Sequence, residues 1–470
     1  MNDLRTWVGA ALLLAMTAFE SRGQAKEDPL RTEALAAMKR AATYYREKVG
    51  VNGGYVYYYS LDLTQRWGEG KAAADIAFVQ PPGTPTVGTA YRKAFATTYD
   101  DDYYHEAAKE AAKCLMEGQL SSGGWPQSFV IKSAGGASRP PKKEPYSSLD
   151  DGQTQSALRF LMSVASLDKS ENQYDYSAMG GLDALVAAQF PNGAFPQGWS
   201  GPAAKHPIVK AKYPDYDWKT EGRVKNFWDF YTLNDNLAGS VADTLIAAEI
   251  YDNKKYRGAL TRLGDFLILA QMPDPQPAWC QQYNYEMVPI WARKFEPPAI
   301  AGSESQDVME TLIKIARITG EKKYLEPIPR ALQYLSRCQQ FDGKVARYYE
   351  LKTNKPLFMD KNYQLTYDDS DVPAHYGWKQ PHRFDRIAKE YQSAVRGDAQ
   401  PAPAIKAPAE AEVRRVIREL DSEGRWVSTF AGEKLVGQPK FEPGFRYLSS
   451  EVFARNMGIL CDYIAAKKPE

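Results

Sequence analysis

Three segments place acidic side chains just ahead of an apolar, helix-periodic run: Ser147-Ser-Leu-Asp150-Asp151-Gly, Tyr231-Thr-Leu-Asn234-Asp235-Asn236 and Ile300-Ala-Gly-Ser303-Glu304-Ser305. Any one of them reads as an N-cap, where Asp, Asn and Ser satisfy free amides and suit the helix dipole. Three in register carry a second meaning. If the helices stand side by side with one polarity, Asp150, Asp151, Asp235 and Glu304 converge on one rim. Carboxylates gathered there make either a hard-cation site or a general acid–base pair. Cations accompany them. Trp291-Ala-Arg293-Lys294-Phe-Glu296-Pro-Pro298 carries two positive charges in a loop that its prolines keep non-helical, and Arg347 and Lys361 add charge further on. Such cations serve as salt-bridge partners of the carboxylates or as grips for an anion. Carboxylates alternating with cations suit an acidic substrate bridged by a metal.

The elements that must position these residues repeat. Leu-Met-Glu-Gly-Gln119 leads into Gly-Gly-Trp125-Pro-Gln127, Leu-Val-Ala-Ala-Gln189 into Asn192-Gly-Ala-Phe195-Pro-Gln197, and Leu-Ile-Leu-Ala-Gln271 into Pro-Ala-Trp279. Leu-Ser-Arg-Cys-Gln339 leads into Asp342-Gly-Lys-Val-Ala-Arg347, and Asn52-Gly-Gly-Tyr55-Val is an N-terminal copy. The motif aromatics Tyr55, Trp125, Phe195 and Trp279 lie 70, 70 and 84 residues apart. Between motifs, apolar residues recur at i, i+3, i+4 and i+7 over 156–167, 238–251, 308–317 and 324–338. Each repeat is thus two helices followed by an Asn/Asp-Gly stop, and prolines keep the aromatic stretches extended. The fold expected is all-α, an α/α toroid of helical-hairpin repeats with short extended aromatic-rich loops. Trp125 and Phe195 are read as staples between repeats rather than sugar platforms. Residues 200–226 interrupt the period as a long loop, 396–411 form an Ala/Pro-rich connection, and helices follow at 410–421 and 449–466. The division expected is residues 1–25 for export, 26–395 for the ring, and 396–470 for a loop and a helical extension packing on it.

Composition narrows the class. Of 470 residues 44% are hydrophobic, and 59 Lys+Arg against 58 Asp+Glu give +1. No basic arm or acidic tail supports a nucleic-acid partner. Arg5, the apolar run Trp7–Phe19 and small residues up to Ala25 form an export signal, cleaved near Ala25 and leaving no membrane anchor. A secreted or periplasmic monomer is expected. The four cysteines and four histidines are scattered, without the spacing of a zinc site.

These motifs together, in order over about residues 35–380, resemble polysaccharide lyase family 10, the pectate lyases of α/α-toroid type. The resemblance implies Ca²⁺-dependent β-elimination of polygalacturonate (pectate) to 4,5-unsaturated uronides. It puts the calcium-binding acids on Asp150 and Asp235, with Asp151 beside the first. It puts the catalytic arginine on Arg293 and substrate-gripping cations on Arg347 and Lys361; Lys294, Glu304 and Tyr231 are expected beside them as further substrate contacts. The chain departs from the family pattern at Asp151 (Asn expected), Asn236 (Asp expected) and Lys361 (Arg expected), the last replacing a two-pronged clamp by a point charge. Two alternatives stay open: an inverting glycoside hydrolase pairing Asp151 or Asp235 with Glu304, and a pectin-binding protein without catalysis. Whether Arg293 or a water molecule takes the proton is also open, since guanidinium keeps its proton in proteins.

Overall fold

The computed structural model describes residues 28–99, 102–132, 146–167, 172–221, 223–399 and 406–467. The expected export segment lies outside them. Twelve α-helices are found among these residues: α1 Pro29–Tyr44, α2 Thr84–Thr98, α3 Asp102–Glu117, α4 Gln153–Ala165, α5 Gln173–Ala187, α6 Leu237–Ala248, α7 Asn253–Leu269, α8 Gly302–Thr319, α9 Ile328–Arg337, α10 Phe384–Arg396, α11 Glu410–Arg418 and α12 Ser450–Ala466. Helices α2/α3, α4/α5, α6/α7 and α8/α9 pack as hairpins, and the first helix of each hairpin also packs on the first helix of the next. The inner series runs α12–α2–α4–α6–α8–α10, with α1 and α11 against α12 on the outside. This is an α/α toroid. The apolar run read at 324–338 is split, because the Pro327 and Pro329 rings stop a single helix: a 3₁₀ turn at Lys322–Leu325 precedes α9.

The repeat motifs do the stapling. Trp125 and Trp279 are fully buried, each indole N–H donating at 2.7 Å to a carbonyl of its own repeat's outer helix, Leu115 and Leu267 respectively. Their backbone amides are held at 3.0 Å by Thr154 and Ser305 of the next inner helix. The glutamines that end the Leu-x-x-x-Gln runs act across repeats too: Gln119, Gln189 and Gln271 each donate to a carbonyl of their own loop and to one in the following repeat. Burying a large ring whose polar atom is satisfied is a strong, directional contact.

At one rim each inner helix is preceded by a short strand that pairs with the strand of an aromatic motif: Ile76–Phe78 with Ser128–Val130, Ser147–Ser148 with Gly198–Trp199, Tyr231–Thr232 with Gln282–Tyr283, and Ala299–Ala301 with Tyr348–Glu350. A five-stranded sheet joins the ends of the chain there. Tyr58–Ser60 lies between Arg66–Trp67 and Arg446–Ser449, and Val427–Thr429 lies outside the latter. All four cysteines are buried and free. Among the described residues no helix is long and apolar enough to cross a membrane.

Candidate active site

Strand ends set the register of the acidic residues. Counting three residues on from Ser148, Thr232 and Ala301 reaches Asp151, Asp235 and Glu304, so these are the equivalent positions and Asp150 stands one before. Asp151 and Asp235 occupy 3₁₀ turns in left-handed conformation, with φ of 45° and 50°. That conformation is unfavourable for a residue with a Cβ, and its use twice at equivalent points re-aims both carboxylates. None of the helix starts α4, α6 and α8 is closed by a side-chain cap, so the acids are not spent on capping.

Instead they meet. Carboxylate oxygens of Asp150, Asp151 and Asp235 lie within 4.8 Å of one another. Arg293 forks between two acids, Nη2 donating to Asp150 Oδ2 at 3.0 Å and Nη1 to Glu296 Oε1 at 2.9 Å. Arg347 repeats the arrangement next door, its Nη2 donating to Glu304 Oε1 at 2.8 Å and reaching Asp235 Oδ1 at 3.4 Å. The Asp151 carboxylate accepts from Gln80 Nε2 at 3.0 Å, which also serves Glu69. Gln127 and Gln153 both donate to Gln80 Oε1, so a buried glutamine hub fixes this side of the cluster.

The electrostatics follow from crowding like charges in a partly dry place. Burial, with Asp235 and Asp150 adjacent, pushes the Asp151 carboxyl up to about 7. Burial raises Asp150 as well, although Arg293 pulls against it. Glu304 is pushed up to about 7 by burial, with Arg347 opposing. Burial works against the charge of Arg293, but Glu296 and Asp150 outweigh it and hold the guanidinium above its ordinary value.

The cluster thus contains Asp150, Asp151, Asp235, Glu304, Arg293 and Arg347. Three other residues singled out from the sequence lie elsewhere. Tyr231 is fully buried, its ring packed on Phe190 and Phe266 in a strand whose two residues are both buried. It offers no surface to a ligand. Lys361 is exposed and paired with Asp371. Lys294 holds its ammonium 3.5 Å from the centre of the Tyr363 ring. The salt bridge read between this cationic pair and Glu296 is present, as the second arm of the Arg293 fork; sequence inspection missed the Gln80 hub and Tyr376, whose ring lies 4.4 Å from the Arg347 guanidinium. One signal was available: the residue two places after each motif aromatic, Gln127, Gln197 and Gln281, aligns with Arg347 in the last repeat. Gln281 touches Glu304 at 3.2 Å as its position predicts.

Residues 130–323 match the family model of pectic acid lyase. The match covers 194 of the 470 residues, the central segment of the ring. It takes in α4 to α8 and the residues Asp150, Asp151, Asp235, Arg293, Glu296 and Glu304, while Gln80 and Arg347 lie outside it. No curated protein matches the chain. Among solved structures, the family 10 polysaccharide lyase from Cellvibrio cellulosa is similar at 19% identity, covering 66% of this chain and 97% of its own, with a TM-score of 0.48. A mutant of that lyase in complex with trigalacturonic acid gives 19%, 66%, 98% and 0.47. Cellobiose 2-epimerase from Bacillus thermoamylovorans gives 13% identity over 93% of this chain and 99% of that one, with a TM-score of 0.47.

Proposed function

We propose that the chain, a polysaccharide lyase by its family match, cleaves α-1,4-polygalacturonate by calcium-assisted β-elimination after export from the cell. One observation carries the proposal: three aspartates share a 4.8 Å locus beside a guanidinium forked between acids, on one rim of the ring. The donor set fits a hard cation. It is all oxygen, and Asp150 Oδ1 is buried with no hydrogen-bond partner, an acceptor that a cation satisfies. Asp150, Asp151 and Asp235 are the residues that would hold Ca²⁺, and the bound ion would neutralise the substrate carboxylate and so acidify the adjacent C–H.

The chain's own groups supply the rest. Arg347 and Arg293 face the anionic sugar, and Gln80 and Glu304 fix the side chains that position it. In the reaction the C5–H bond breaks, its electron pair forms the C4=C5 double bond, and the C4–O bond breaks with its pair on the oxygen, which leaves with the adjoining sugar and takes a proton from water. Arg293 stays protonated, because Glu296 and Asp150 hold it so. It therefore donates hydrogen bonds to the negative charge developing on the carboxylate, and a water or hydroxide takes the C5 proton. Because burial and the neighbouring Asp235 and Asp150 raise the Asp151 carboxyl in the metal-free protein, protons compete with the cation for this ligand, which supports stronger calcium binding at alkaline pH. The hydrolase alternative is weakened by Glu304, which is buried and whose Oε1 accepts from both Arg347 and Gln281. The test is ultraviolet absorbance of the conjugated product from polygalacturonate. Absorbance is expected to rise with calcium and to stop in excess EGTA; no absorbing product, or activity indifferent to chelator, rules the proposal out.

A further inference from the structure

The loop between the strands Val427–Thr429 and Arg446–Ser449 lies far beyond the family match, yet it is fastened at both sides of the cluster just described. On one side Gly437 sits on Gly68 and Glu69: a Cβ built there would lie 2.3 Å from the Gly68 carbonyl, and its φ of +71° favours glycine. Glu69 is the residue that shares Gln80 with Asp151. On the other side Lys434 Nζ and Gln438 Nε2 both donate to the His375 carbonyl, at 2.9 and 3.4 Å. His375 neighbours Tyr376 in the chain and packs against Phe295, which follows Arg293 and Lys294. The loop therefore spans from the Asp151 side to the Arg293–Arg347 side.

Its charge is what gives it a use. Among the described residues, Lys434 meets a backbone carbonyl and Lys294 a Tyr363 ring, and neither has a carboxylate within ion-pair distance. By contrast, Lys361 pairs with Asp371, Lys379 with Asp369 and Lys219 with Glu350. Lys434 and Lys294 both act on His375, whose pKa is lowered by burial first and by these two cations next. Two unmatched, exposed ammonium groups facing one residue repel each other and attract an anion.

We propose that this loop is a wall of the substrate cleft and that Lys434, with Lys294, forms an outlying subsite for a carboxylate of an anionic polysaccharide. The inference rests on the lyase assignment for its substrate, and it assigns a task to the C-terminal region. A sugar at this subsite is remote from the bond that breaks, so the contact strengthens binding of long chains and leaves short ones alone.

Titration calorimetry with oligogalacturonates of about three and about ten units tests it, using Arg293→Ala full-length protein so that nothing is consumed. Adding Lys434→Glu is expected to weaken the long oligomer about five- to tenfold, and Lys434→Gln about two- to threefold, because an exposed ion pair contributes up to about 1 kcal/mol and reversal replaces it with repulsion. The short oligomer changes less than about twofold, and Lys254→Glu, an exposed reversal on α7, changes neither. Long-oligomer affinity unaffected by Lys434→Glu overturns the proposal, and so does an equal loss for both lengths. Wild-type protein that forms no unsaturated product but loses long-chain affinity in Lys434→Glu would sink the lyase assignment while upholding the subsite.

Discussion

Replacing Asp151 by Asn should stabilise the protein when calcium is absent and destabilise it, relative to the wild type, when calcium is present. Asp151, Asp150 and Asp235 repel one another within their 4.8 Å locus. The Asp151 carboxyl titrates at about 7 in the fold against 3.8 when free. Between those values the folded chain binds a proton that the unfolded chain has released, so stability falls as pH rises through that window, and the cost is complete above about 7. At about 1.4 kcal/mol for each pH step the nominal cost is about 4 kcal/mol. Asp151 is exposed, so water and salt screen the repulsion and about 1–2 kcal/mol remains. Melts followed by circular dichroism at about pH 8 in EGTA should therefore place Asp151→Asn about 1–2 °C above the wild type, with the gap closing towards about pH 4. Calcium reverses the order, because an ion that binds only the folded state raises the melting point and the substitution removes one of its anionic ligands. A lower melting point for Asp151→Asn in EGTA at about pH 8 refutes this account. So does a calcium-induced rise that survives the substitution intact.

Two further outcomes are expected. Arg293→Lys keeps the charge but loses the fork that joins Asp150 to Glu296, so release of ultraviolet-absorbing product should fall by about 10²- to 10³-fold; retention of more than about a tenth of the rate would deny the fork its part. Glu304→Gln leaves Arg347, 10% exposed, without its nearest full counter-charge, and urea unfolding should show a loss of about 3–5 kcal/mol, a loss under about 1 kcal/mol speaking against a tight buried pair.

Much of this arrangement was legible because it is periodic. The Leu-x-x-x-Gln runs and the aromatic motifs repeat as one physical unit repeats, so Trp125 and Trp279 use the same carbonyl and hydroxyl partners two ring positions apart. The acidic helix starts were visible for the same reason. What periodicity could not supply was direction. Asp235 and Tyr231 lie four residues apart, yet the left-handed turn at Asp235 sends one outward while the strand sends the other into the core. Nor does sequence say which partner a charge takes: Lys361 and Arg347 looked alike as cations of the last repeat, but one pairs with Asp371 in solvent and the other with Glu304 in the cluster. Glu296 was read as a salt-bridge candidate and proved to be the second arm of the Arg293 fork, which takes a hydrogen bond from the Arg293 backbone as well.

The sheet that unites the two ends of the chain bears on how the protein can be handled. A fragment trimmed to residues 130–323 would keep α4 to α8 but lose α2 and α12. The Phe160 ring now rests where Gly88 leaves room for it, and Gln80 would be missing from beneath Asp151. Such a fragment would present a greasy flank and a half-built mouth, a recipe for aggregation during expression. Shuffling or grafting this protein therefore has to carry both ends of the ring along, and a tag belongs beyond them rather than in their place.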